Sequence, residues 1–178
     1  MRAERRPMTK KLPVDLDELI FCSTWRDTME VGPVSFFDTE TGAVVSVERE
    51  VWDAVAVHEE EDLSDYDHEQ VEIARKAYDT DSSLVEPPEL ESRERFRMMA
   101  DFTEAMTSGT PRRKLIEALE GRRPFRRFKD TLLRFPDIRE QWFNYEAERL
   151  EEWVLEWLKE RDIIPATPDE ATGKPLGD

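Results

Sequence analysis

A chain of 178 residues with 42 acidic and 26 basic side chains carries a net charge of -16, so bulk nucleic acid and anionic membrane repel it and any anion binding must be local. The length suffices to bury one ordinary core without staples, and nine Phe with five Trp exclude a disordered chain. Cys22 is the single cysteine, which excludes an intrachain disulfide.

Residues 1–13 read as a flexible basic tail, with Met8 an alternative start to Met1. MRAERRPMTKK opens like a secretion signal, but no apolar run follows it. No stretch approaches the ~18 apolar residues of a membrane span, so a cytoplasmic protein without a membrane partner is expected. Residues 14–164 then form one globular domain.

Asp15, three residues before Glu18, predicts a capping box at the head of a short helix reaching Trp25. VGPVSFFDTETGAVVSV places two β-branched and aromatic runs around a loop ending in Gly42, the pattern of a β-hairpin. Glu48 to Val57 follows as a short helix.

His58 to Asp67 is an acidic surface loop. Asp62, Asp65 and Asp67 offer carboxylates to a cation, but the glycine and the alternation of an EF-hand are missing, and no metal is expected. Asp67 with Gln70 predicts a second capping box, opening a helix whose inner side is Val71, Ala74 and Tyr78. Leu84 and Val85, before Pro87 and Pro88, read as a short extended piece.

From Ser92 the helical period returns with Phe96, Met99, Phe102, Thr103 and Met106 as a core stripe. The next helix has Thr110 as N-cap, Pro111 at its first position and Gly121 as left-handed stop. Pro124 starts a further helix that Pro136 ends. Asp137 and Glu140 then form a third capping box, heading a long final helix to about Arg161 with Trp142, Phe143, Tyr145, Trp153 and Trp157 in one broad arc. Residues 165–178 are a polar, proline-rich disordered tail.

Catalytic patterns are sparse. His58 and His68 are the two histidines and the six glycines are scattered, which leaves no usual zinc site and no phosphate-cradling loop. Cys22 sits in an apolar helix as a buried, inert thiol. No catalytic residue, metal ligand or cofactor is expected.

The unusual stretch is GRRPFRRFKDTLLRFPDI, residues 121–138. Residues 110–136 hold nine basic and three acidic side chains, leaving 17 basic and 39 acidic elsewhere. At about 100° per residue Phe125, Phe128, Leu132 and Phe135 share one face and Arg126, Arg127 and Arg134 the other. The phenylalanines therefore belong to the core, which argues against base-stacking platforms among phosphate clamps. Arg122, Arg123, Arg126 and Arg127 oppose the positive end of their helix dipole, a cost of some tenths of a kcal/mol each, so an anion or neighbouring carboxylates must compensate.

EALEGRRPFRRFKDTLLRFPDIREQWFNYEAERLEEWVLEWL resembles the C-terminal half of the uncharacterised bacterial protein family numbered 0158, a family of unknown function. FFDTETGAVVSV, VEIARKAYDTDSSLVEPPE and FRMMADFTEAM resemble the rest in order, over about residues 14–164. Arg123 and Pro124 depart from the family's wording, which has a small pair such as Gly-Ala there. The resemblance implies a bacterial cytosolic protein of one domain, and no reaction, cofactor or partner.

The sequence thus predicts an α+β, mostly helical fold: about seven helices, one β-hairpin and a long C-terminal helix. The expected function is a non-enzymatic binding or adaptor protein whose patch of Arg112, Arg113, Arg122, Arg123, Arg126 and Arg127 engages an acidic protein, a second copy of the chain, or a phosphate group. Nucleic-acid association, disfavoured by net charge, and a metal-independent enzyme are the alternatives.

Overall fold

The computed structural model describes residues 9–25, 32–58 and 68–166. The basic start 1–8, the acidic stretch 59–67 and the tail from 167 lie outside that range, and so do the expectations placed on them. The fold is mostly helical α+β, with seven helices and five strands among the described residues. These residues group into two compact units, the second being Leu90–Trp153 and the first everything else.

The first unit contains β1 (Lys10–Leu12), α1 (Leu16–Trp25), β2 (Val34–Asp38), β3 (Val44–Val47), α2 (Arg49–Val57), α3 (His68–Tyr78), β4 (Leu84–Val85) and β5 (Ile163–Pro165). β2 and β3 form the expected hairpin, pairing Val34 with Val47 and Phe37 with Val44. Gly42 takes φ +80°, and a side chain there would crowd Leu12 and the Pro13 carbonyl, so both backbone and space require glycine. β4, the expected extended piece, adds antiparallel to β2. Val34 and Phe36 of β2 pack with Leu84, while Val47, Val51, Val55, Val71 and Ala74 form a second cluster. Phe37 is fully buried and meets Trp157 edge-on at 5.5 Å.

Asp38 ends β2 and organises the hairpin loop. Its carboxylate accepts the Glu40 N–H at 2.9 Å and lies 3.6 Å from Lys76 Nζ. Burial pushes its pKa up, but the Glu40 and Thr41 amides, the Ser83 hydroxyl and Lys76 together bring it below the ordinary value. The Ser83 hydroxyl acts through proximity, since this buried group makes no hydrogen bond of good geometry.

The second unit contains α4 (Ser92–Ala105), α5 (Thr110–Leu119), α6 (Pro124–Leu132) and most of α7 (Pro136–Lys159). Met99, Phe102, Leu115, Phe128, Leu132 and Trp142 form its core. Trp142 meets Phe102 at 5.2 Å and Phe128 at 4.9 Å, both edge to face, the favoured aromatic geometry.

Several local expectations change. Residues 10–12, without a predicted element, form β1 and pair parallel with β5. Asp15 does cap, accepting the Glu18 N–H at 3.0 Å. Gln70 accepts the Glu48 N–H at 2.7 Å, which ties α3 to the start of α2; the expected capping box with Asp67 lies outside the described residues. Gly109, not Thr110, is the N-cap of α5. Pro136 starts α7 rather than only ending α6, which places Asp137 inside the first turn and leaves no third box. Proline suits that first position, where its missing N–H has no partner to lose. Cys22 is half-buried rather than buried.

Candidate functional site: the basic elbow between α5 and α6

Every arginine of the expected patch lies in the second unit. α5 ends at Leu119, residues 120–123 bend, and α6 begins at Pro124. The expected left-handed stop at Gly121 is not there. The left-handed residue is Arg123, with φ 57° and ψ 55°. Pro124 disfavours the right-handed α region for the residue before it.

Gly121 has a different role. A methyl group there would overlap the Arg127 guanidinium, which lies across the bare Cα. Arg127 thereby comes within the field of Glu117, one turn back on α5. Glu117 receives a 2.7 Å hydrogen bond from Lys114 Nζ, and this bond, with the charges of Lys114, Arg113 and Arg127, holds its pKa below the ordinary value. Arg113 and Arg127 are therefore brought together around one carboxylate.

Arg126 makes a 3.7 Å contact with Asp130 one turn on, between side chains 76% and 61% exposed. So open a pair contributes little. Arg122 and Arg123 are exposed and take part in no ion pair among the described residues. Arg112 is half-buried and is in no ion pair among the described residues. The ion pairs of this segment go to Glu117 and Asp130, both local to their own helices. The first turns of α5 and α6 hold no acidic residue, and neither helix has a side-chain N-cap bond.

The phenylalanine face is split. Phe128 is fully buried and Phe135 half-buried, but Phe125 remains 36% exposed and Phe143 of α7 55% exposed. Phe125 packs edge-on against Phe96 of α4, itself 37% exposed, at 6.5 Å. The face analysis placed Phe125 correctly relative to Phe128, but an end-of-helix position leaves it outside the core.

Sequence reasoning missed Glu146 of α7. Burial raises its pKa, against the opposing charges of Lys129 and Arg95 and a hydrogen bond from the Trp142 indole. Its nearness to cations was invisible because they come from two other helices. Cys22 also stays protonated, since burial raises the thiol, the Ser35 hydrogen bond opposes this and Glu18 adds to it; a protonated thiol is a poor nucleophile. Among the described residues no three His, Cys, Asp or Glu side chains gather as a metal site, and no helix is long and apolar enough to cross a membrane.

A family model described as "Uncharacterised protein family (UPF0158)" matches residues 36–175. The chain belongs to UPF0158. It is 30% identical over 181 residues to the UPF0158 protein PA5073 of Pseudomonas aeruginosa (strain PAO1), an alignment covering 96% of this chain and 99% of that relative. No solved structure matches the chain. The elbow, Gly121 to Asp130, lies wholly inside the span matched to UPF0158.

Proposed function

We propose that this UPF0158 protein is a cytoplasmic, non-enzymatic binding or adaptor module, and that the α5–α6 elbow engages an acidic segment of another protein. The observation that carries the reading is the exposed pair Arg122 and Arg123, in no ion pair among the described residues of a chain holding 42 acidic side chains. Guanidinium forks at a fixed backbone corner match carboxylates two hydrogen bonds at a time. The remainder of the molecule, strongly negative, steers an acidic partner away from every surface except this one.

Fluorescence anisotropy of a labelled Glu-rich dodecapeptide tests the reading. Wild-type protein binds the peptide at low salt, and the affinity falls steeply as salt rises. Arg122→Glu with Arg126→Glu removes binding at least tenfold without changing the circular dichroism spectrum. Equal binding by wild type and this variant overturns the assignment.

A further inference from the structure

Phe96 and Phe125 are two of the exposed large apolar side chains of the second unit, and they touch each other across α4 and α6. Each has two arginines close to it in the sequence. On α4, Arg93 lies one turn before Phe96 and about 60° from it, and Arg97 about 100° away. Arg122, in the bend before α6, stands three residues before Phe125, and Arg126 of α6 directly follows it. All four arginines are exposed, and Arg93, Arg97 and Arg122 are in no ion pair among the described residues. The sequence does hold the signal, in the alternation RERFR, residues 93–97, but the α4 arginines lie outside the segment whose charge drew attention.

An exposed aromatic pair flanked by exposed cations differs from a purely electrostatic patch. Charge alone attracts an acidic chain in any register. An apolar contact that excludes water at the middle of a polar rim fixes one register, because affinity concentrates in buried anchors while the rim contributes little. The two rings stand at 77° to each other, so they do not form parallel platforms for successive bases, and the chain's charge of -16 opposes a polyanion many times its length. A short acidic peptide with one apolar side chain meets neither obstacle.

Building on the acidic-partner reading above, we infer that the Phe96–Phe125 pair is the apolar anchor site at the centre of this basic surface. Its partner is an acidic peptide segment carrying a single large apolar residue, flanked by carboxylates that reach Arg93 and Arg97 on one side and Arg122 and Arg126 on the other. The α4 arginines are then part of the same interface as the elbow.

Two labelled dodecapeptides of Glu and Gly, identical but for a central Phe or a central Ser, test this by anisotropy against the full chain, with oligo-dT as competitor. The Phe peptide binds at least tenfold more tightly than the Ser peptide, Phe96→Ala and Phe125→Ala each abolish that preference, and Arg93→Glu weakens both peptides. Phe125→Leu, which keeps the packing, retains most of the preference and guards against a folding artefact. Equal binding of the two peptides, or a preference that survives both alanine substitutions, overturns the anchor while leaving the acidic-partner reading standing. Binding of neither peptide removes both, and oligo-dT displacing the Phe peptide at equimolar amounts assigns the surface to single-stranded nucleic acid instead.

Discussion

Arg123 holds a left-handed conformation, φ 57°, that costs a side-chain-bearing residue about 1 kcal/mol. Arg123→Gly is therefore expected to stabilise the protein by about 0.5–1 kcal/mol, seen as a rise in thermal midpoint, while weakening the acidic peptide. Gly121→Ala has the opposite profile. Its backbone is not left-handed and the clash is with a flexible guanidinium, so stability changes by about 0.5 kcal/mol or less, but Arg127 is displaced and peptide affinity falls. Asp38 and Glu146 give pH signatures of opposite sign. Folding lowers the Asp38 pKa, so its stabilisation is present above the ordinary carboxylate range and lost as the pH falls through it. Asp38→Asn thus costs about 2 kcal/mol at pH 7 and progressively less below about pH 4. Folding raises the Glu146 pKa, so that site favours the native state at low pH and disfavours it as the pH climbs through the raised value. Glu146→Gln accordingly stabilises at pH 7, by ~0.5–1 kcal/mol, and has no such effect at pH 4, a pair of melting curves that checks the sign directly.

Elements were legible where a local rule specified them. The β2–β3 hairpin followed from alternation and a glycine that the loop requires, and α6 from its proline start and apolar period. Boundaries were less legible. Pro136 was read as a stop, yet a proline at a first helical position serves equally as a start, and the sequence between α6 and α7 does not distinguish the two. Gln70 shows a role that local spacing does not encode: its side-chain oxygen accepts the backbone N–H of Glu48, 22 positions earlier in the chain. The parallel pairing of β1 with β5 joins residues more than 150 positions apart, and no local signal encodes it. The split within the α6 face is testable. Phe128→Ala removes a fully buried ring that meets Trp142 at 4.9 Å and is expected to cost about 3–5 kcal/mol. Phe125→Ala, on the same face but at the open end of the helix, costs about 1 kcal/mol or less, as denaturant midpoints will report.

Across the molecule, charge is divided between the units. Residues 90–153 hold 14 basic and 13 acidic side chains, while the rest of the chain holds 12 basic and 29 acidic. The charge contrast was visible in the sequence as a basic segment, but its surface was not: the α4 arginines join it only because Phe96 meets Phe125, and Arg112, inside the segment, is half-buried. The measurement that bears most directly on the account is hydrogen exchange followed by mass spectrometry, with and without saturating Phe-centred acidic peptide. Slowed exchange is predicted in the first half of α4 and in residues 119–130. Protection confined to the hairpin, or protection nowhere, contradicts the assignment of the elbow as the binding surface.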